Sequence, residues 1–381
     1  MMDWKIQLFK LNYNELEKKA VSDVLDSGWI TMGENIINFE KKFGEMLGKD
    51  VLCSAVSSGT AAMHLAFLAL DIGQNDEVVM PALTFVSDAN CARLVNAKPV
   101  LADCSSEDNW NVSAESIKKV ITDKTKAIVV VHYAGYPCDM RPIVDLCKEE
   151  GIYLIEDCAH APGAFINDKS VGAWGDIGCF SFFTNKNLSV GEGGMTSTSN
   201  KNLGKRLASL RSHGMTSLTL DRHKGRSITY DVNEPGINYR MDEMRAALGL
   251  TQLEKLFEAN TLRKNLTERY RSNFENTKIK IPFNKFLQSN SCVSAFHILP
   301  ILLPIGVNRT SVIEHCRKRG IQTSIHYPAF WDFEAYKDRF DKNDTPEALN
   351  IIPRELTLPL YPSMTFEQVD EVTRTILEAC E

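Results

Sequence analysis

Short β-rich runs alternate with helical stretches from residue 51 to about residue 200. Val51–Val56, Glu77–Pro81, Pro99–Asp103, Ala127–Tyr133, Tyr153–Asp157 and Ile177–Phe183 read as strands. Between them, Thr60–Leu70, Ser87–Leu94, Ala114–Ile121 and Pro142–Glu150 read as helices. The β-branched runs are continuous rather than alternating, most clearly Ile128-Val129-Val130-Val131. A strand that is apolar on both faces is buried on both, as in a parallel sheet covered by helices. The α/β rhythm therefore predicts a three-layer α/β/α domain around a mostly parallel sheet.

Residues 212–238 break the rhythm. They are polar, carry Gly214, Gly225, Pro235 and Gly236, and show no sustained apolar period. An ordered domain rarely holds a structureless loop longer than ~15 residues without a function for it. Asp242–Leu256 then reads as an amphipathic helix and opens a second region of helices and strands. We expect a large domain over residues 1–250 and a smaller C-terminal α+β domain over 251–381.

Composition narrows the class. The chain has 381 residues, 44% of them hydrophobic, enough for a large core and for two domains. Its 43 basic and 49 acidic residues give a net charge of −6, which argues against general nucleic-acid binding. No apolar run approaches the ~20 residues of a membrane span; the stretch Leu299–Val307 is interrupted by Pro300 and Pro304. Met1–Lys5 lacks the apolar core of a signal peptide. The 10 cysteines include no C-x-x-C pair, and Cys53, Cys104, Cys158 and Cys179 sit in apolar, strand-like runs. They read as buried thiols of a cytoplasmic protein. None of the eight histidines pairs with a cysteine at a zinc spacing, so no metal site is expected.

Three segments carry chemistry. Ser57-Ser58-Gly59-Thr60 lies between a strand and a helix. It fits either an ordinary N-cap or a phosphate site built from free backbone N–H groups and the helix dipole. Glu156-Asp157-Cys158-Ala159-His160 follows the apolar run Tyr153-Leu154-Ile155, at the strand end where α/β sheets place their ligands. A sheltered Asp157 needs a partner, either a turn that it caps or a protonated ring nitrogen. Ser181-Phe182-Phe183-Thr184-Asn185-Lys186 ends an apolar strand in a lysine, and Gly191-Glu192-Gly193-Gly194 follows. Lys186 is either a surface lysine or a desolvated amine able to attack an aldehyde. A phosphate cradle, an acid for a pyridinium and an amine for an aldehyde together match what pyridoxal phosphate needs.

Read with these three, Leu25-Asp26-Ser27-Gly28-Trp29, Pro81-Ala82-Leu83-Thr84-Phe85, Gly236-Ile237-Asn238-Tyr239-Arg240-Met241, His326-Tyr327-Pro328 and Leu358-Pro359-Leu360-Tyr361-Pro362 complete an ordered set of motifs. In this set the chain resembles the DegT/DnrJ/EryC1/StrS family of pyridoxal-phosphate-dependent sugar aminotransferases, of aspartate-aminotransferase fold type I. The resemblance spans nearly the whole chain and implies a seven-stranded central sheet. It implies that Lys186 holds the cofactor and shuttles a proton, and that Asp157 pairs with the pyridine nitrogen. Ala159 and Phe85 would flank the ring, and His160 would reach its hydroxyl, where many relatives carry glutamine. Ser58, Gly59, Thr60 and Ser181 would hold the phosphate. Asn238 would reach the phosphate of a partner subunit's cofactor, so that a homodimer shares its sites. Trp29, Arg226 and His326 are candidates for substrate contact. Lysine rather than histidine at position 186 favours transamination over sugar dehydration.

The implied reaction moves an amino group from L-glutamate to a keto or aldehyde sugar. That sugar is either a nucleotide-linked keto-deoxyhexose or a sugar acid such as 3,8-dideoxy-8-oxo-octulosonate. The basic segment Arg222-His223-Lys224-Gly225-Arg226 suits a diphosphate, a carboxylate or merely solvent. A non-catalytic, pyridoxal-phosphate-binding regulator or scaffold of the same fold is the alternative. It would be expected to lose Lys186 or Asp157, and both are present.

Overall fold

A seven-stranded sheet forms the centre of the chain. The computed structural model describes residues 4–217, 225, 228–284, 291–337, 339–340 and 344–381. The sheet strands are β1 (Leu52–Val56), β2 (Glu77–Pro81), β3 (Lys98–Ala102), β4 (Thr125–Val131) and β5 (Tyr153–Asp157). A short hairpin, β6 (Phe165–Ile166) and β7 (Lys169–Ser170), precedes the last two, β8 (Ile177–Ser181) and β9 (Gly194–Thr198). Spatial order is β1-β9-β8-β5-β4-β2-β3. All neighbours are parallel except β9, which runs antiparallel to both β1 and β8. The expected mostly parallel sheet is therefore present. With β9 reversed between them, β1 and β8 point the same way as β2 to β5, and their carboxyl ends share one edge.

Pattern reading missed β9 because its residues are Gly194-Met195-Thr196-Ser197-Thr198. All five are buried. The hydroxyls survive burial by donating to backbone carbonyls: Ser197 to Gly172 at 2.6 Å and Thr198 to Asp176 at 2.7 Å. Two of the sequence-read strands end two residues earlier than expected. β4 stops at Val131, before a tight turn over Tyr133–Gly135, and β8 stops at Ser181. Both breaks fall at the ligand edge, where the chain leaves the ladder to present side chains.

The amphipathic helix expected at 242–256 is a 32-residue helix, Glu243–Phe274. Its second half looks polar in sequence, but Asn260, Arg263 and Thr267 are buried along with Leu266, Tyr270 and Phe274. That spacing is helical, although polar side chains supply part of it. Leu256 belongs to the core that covers the sheet with Phe39, Phe43, Phe180 and Phe182. Leu266, Tyr270 and Phe274 belong to a separate core around β11 (Leu299–Leu302) and β12 (Glu355–Leu358), after the short strand β10 (Cys292–Val293). The division we propose at residue 250 thus falls inside a continuous helix rather than in a linker.

The same helix organises the N-terminus. Helix Glu34–Leu47 starts at Gly33, which has no side chain to cap it. Glu243, at the head of the long helix and buried, supplies the cap from 210 residues away. Its carboxylate accepts N–H bonds from Gly33 (2.9 Å), Asn35 (2.9 Å) and Ile36 (3.0 Å). These are donors that a helix cannot satisfy internally. Glu243→Ala should therefore lower stability by about 1–3 kcal/mol, since buried donors lose their acceptor. An unchanged urea midpoint would refute this cap.

Candidate active site

Beyond the carboxyl edge of the sheet lies a cavity of about 400 Å³. The carboxyl ends of β4, β5 and β8 and the segments that follow β1 and β2 line it. Helix Gly59–Ala69 begins directly after β1, with Ser58 as its N-cap: the Ser58 hydroxyl accepts the Ala61 N–H at 3.0 Å. The N–H groups of Gly59 and Thr60 have no carbonyl within the helix to bond and lie at the positive end of its dipole. A Cβ on Gly59 would lie 2.8 Å from the Ser181 Cβ. Glycine here lets the end of β8 pack against the helix start and brings the Ser181 hydroxyl to the same place. Two backbone donors and a hydroxyl at a helix N-terminus fit a phosphate.

Asp157 closes β5 and is 8% exposed. Its Oδ1 accepts the Ala159 N–H at 2.8 Å. Burial pushes its carboxyl above the usual range, while that N–H and the Lys186 cation pull it back. Lys186 lines the same cavity. Desolvation lowers its ammonium to about 8, against the opposing charge of Asp157. A largely dehydrated acid and amine face one space. A cationic ring nitrogen would complete the charge pairing of the first, and an aldehyde would react with the second. Phe85 and Ala159 both line the cavity, with the Phe85 ring open enough to receive a flat ligand.

His160 is buried and neutral: burial and the Lys186 charge hold its pKa well below the ordinary value. Its Nδ1 accepts the Ala134 N–H at 3.2 Å, so Nε2 carries the proton and donates to the Tyr327 hydroxyl at 2.7 Å. A ligand on this side therefore meets Tyr327 together with His160. Tyr327 also sets its ring 5.4 Å from that of Phe85.

The cavity thus gathers Ser58, Gly59, Thr60, Phe85, Asp157, Ala159, His160, Ser181, Lys186 and His326 from across the chain. It does not gather the others. Asn238 is exposed and pairs by backbone with Ser212 outside the cavity. Trp29 packs over Gly33, its indole N–H donating to the Met32 carbonyl at 3.1 Å. Arg226, with Arg222, His223 and Lys224, lies outside the described residues.

Several wall residues escaped sequence reading. Asp88 is 1% exposed; Thr84 donates to its Oδ2 at 2.6 Å, and its Oδ1 has no partner among the described residues. Burial and the nearby charge of Asp157 push its carboxyl up. In sequence it is an ordinary acid in the first turn of helix Ser87–Leu94, with no signal of burial. Glu156, in contrast, faces away from the ligand. Its Oε1 accepts N–H bonds from Trp174 and Gly175, and its Oε2 from Gly172 and His132 Nε2. His132, Glu156 and Cys158 lie close enough together to hold a metal ion, but four N–H donors already occupy the carboxylate. The cluster clamps the 172–175 loop to β5.

With this geometry in place, comparison with known proteins is direct. The DegT/DnrJ/EryC1/StrS aminotransferase family matches residues 12–377. The chain belongs to this family. Among curated proteins, the uncharacterized protein MJ1066 of Methanocaldococcus jannaschii is 36% identical over 376 residues, covering 97% of this chain and 96% of that one. Among solved structures, Spr1654 of Streptococcus pneumoniae in its PMP form superposes with a TM-score of 0.90 at 28% identity, covering 97% of each chain. PseC of Helicobacter pylori, an aminotransferase involved in the biosynthesis of pseudoaminic acid, gives a TM-score of 0.88 at 26% identity over 99% of each chain.

The depressed Lys186 amine makes a prediction of sign and position. Only the neutral amine attacks an aldehyde, so attachment of pyridoxal phosphate to the ligand-free protein, trapped with borohydride, should rise about tenfold per pH unit below the pKa. It should level off near pH 8. A rate that keeps climbing to the ordinary lysine value of ~10.4 would rule out the desolvated amine.

Proposed function

We propose that this aminotransferase moves nitrogen from L-glutamate to a keto or aldehyde sugar, as a homodimer with shared sites. The observation that carries the reading is one cavity holding the Lys186 amine, the buried Asp157 carboxylate and the glycine-backed helix N-terminus. Bound pyridoxal 5′-phosphate supplies an aldehyde and an electron-accepting ring. Membership in a family of such aminotransferases supports the same cofactor here, as does the likeness to Spr1654 solved in PLP and PMP forms.

The residues divide the work by their chemistry. Gly59, Thr60 and Ser181 hold the phosphate, with Ser58 fixing the helix start. Asp157 keeps a proton on the ring nitrogen, because a cation opposite it best stabilises its buried charge. Phe85 and Ala159 hold the ring flat between them. His160, through its link to Tyr327, orients the ring hydroxyl side. Lys186 Nζ is the nucleophile and then the base that carries a proton between carbon atoms, a role suited to an amine poised near neutrality. Asn238 and Trp29 lie outside the cavity of their own chain, in keeping with contributions across a dimer.

The acceptor is a sugar because the family's relatives act in sugar chemistry, as PseC does. Nucleotide-linked keto-deoxyhexoses and eight-carbon sugar acids with a terminal aldehyde both remain in the class. Each carries an anionic group apart from the carbonyl.

Lys186→Ala should abolish turnover and the visible absorption of the cofactor-loaded protein, whereas Asp157→Asn should bind the cofactor but lose about 10²–10⁴-fold in rate. Bleaching the wild-type absorption with L-glutamate, then restoring it with members of a keto-sugar panel, identifies donor and acceptor. Full activity of Lys186→Ala, or no bleaching by any amino acid, would overturn the proposal.

A further inference from the structure

Behind His326 runs a short chain of buried polar groups. Glu355 and Thr357 are two apart on β12, so both side chains leave the same face of the strand. Neither is exposed to solvent. Thr357 Oγ1 lies 2.6 Å from Glu355 Oε1 and 2.9 Å from His326 Nδ1. The other carboxyl oxygen, Oε2, accepts the His326 backbone N–H at 2.9 Å. The Tyr133 hydroxyl donates to the His326 carbonyl, so the histidine backbone is held on both sides. The Nε2 end is different. His326 lines the cavity with Lys186 and Tyr327, and no described residue hydrogen-bonds to Nε2.

A hydroxyl between two acceptors has one proton to give, so this chain has two self-consistent polarities. With Glu355 ionised, Thr357 donates to the carboxylate and accepts from Nδ1–H, which leaves a lone pair on Nε2 facing the cavity. With Glu355 protonated, the carboxyl donates to Thr357, Thr357 donates to Nδ1, and Nε2 carries the proton. The Glu355–Thr357 and Thr357–His326 hydrogen bonds are made in both. The second holds one proton more than the first: passing from it to the first releases a proton at the cavity-facing nitrogen while Glu355 becomes ionised.

The imidazole is neutral in either arrangement. This matters because burial and the Lys186 charge disfavour its cation, lowering His326 to about 3. Burial pushes the Glu355 carboxyl up to about 7, so both polarities are accessible near neutral pH. Around them, the Arg309 cation favours ionised Glu355 and the Lys186 cation disfavours charge on His326. His160, His297, Tyr133 and Tyr327 are held neutral by burial.

We propose that Glu355, Thr357 and His326 form a proton relay serving the oxygen of the carbonyl acceptor, with His326 Nε2 touching the substrate and the other two positioning and storing the proton. The proposal rests on the aminotransferase reading. Moving nitrogen onto a carbonyl carbon releases the carbonyl oxygen as water, which requires a proton at oxygen while Lys186 handles the proton at carbon. In the donating direction, Glu355 Oε1–H breaks as Thr357 Oγ–H forms, and the original Thr357 proton moves to Nδ1. The ring double bonds shift, Nε2–H breaks, and the new O–H bond forms on the departing oxygen, which leaves with the C–O electron pair. The reverse direction returns the proton to Glu355. Nothing is oxidised or reduced.

The tautomer can be read without substrate by ¹⁵N NMR of the histidine-labelled full-length protein, the His326 signals being assigned by their loss in His326→Gln. The Nδ1 and Nε2 shifts should exchange character as pH passes about 7. In Glu355→Gln, the amide oxygen keeps the His326 N–H, the amide N–H₂ faces Thr357, and His326 should stay protonated on Nε2 at all pH values. Acceptor turnover should fall about 100-fold in kcat with KM little changed. Thr357→Val should behave as a broken relay, and Thr357→Ser should restore both the pH response and the rate. A tautomer that ignores both pH and Glu355→Gln, or a Thr357→Val enzyme with full kcat, overturns the relay. A responding tautomer in a protein that turns over no keto sugar would leave the relay standing and overturn the sugar aminotransferase assignment.

Discussion

An acid and an amine are both withdrawn from water at one edge of a sheet, and the site is organised around that fact. Asp157 and Lys186 each lose hydration at the cavity wall, and each moves toward its neutral form as a result. Neither is fully compensated by the described residues: among them the carboxylate has one backbone N–H, and the amine has the field of the carboxylate. Groups held in this way are poised for a ligand that brings a cationic nitrogen to one and an electrophile to the other. The parallel strands make it possible, because their carboxyl ends and the start of a helix converge on the same volume.

The histidines of the surrounding wall add no charge to that volume. His160 and His326 are both neutral, yet they differ in use. The first has its proton on Nε2, directed at Tyr327, while the second is tied through Nδ1 to Thr357 and leaves Nε2 to the cavity. In each case the tautomer is set by what the second nitrogen meets: a backbone amide for one, a hydroxyl backed by a carboxyl group for the other. A low dielectric makes such arrangements strong when satisfied and expensive when not. The same economy appears in Glu156, whose carboxylate is spent on four N–H donors of the scaffold although it adjoins Asp157 in sequence.

Much of the frame could be read in advance. Glu77–Pro81, Ser87–Leu94 and Tyr153–Asp157 have the bounds that their patterns give, since short apolar runs and helical periodicity are local signals. Strand β9 could not be read, because its Ser and Thr are buried by partners over 20 residues away. The second half of the long helix was hidden for a similar reason: Asn260 and Arg263 occupy its inner face where a pattern search looks for leucine. The N-terminal helix Glu34–Leu47 lacks a local start signal, as its cap, Glu243, comes from the far end of the domain.

Local sequence determined the rhythm of strands and helices, the glycine at the start of the helix after β1, and the identity of the lysine and aspartate at two strand ends. These follow from short-range sterics and periodicity, and they place the chain in its family. Tertiary structure alone decided which polar residues are dehydrated. Asp88, Glu355 and Thr357 look like ordinary strand and helix residues until strands and helices from both halves of the chain close around them. Burial, unlike periodicity, is a property of what else arrives at a point in space, and it is burial that turns a carboxyl or an imidazole into a group able to hold or pass a proton.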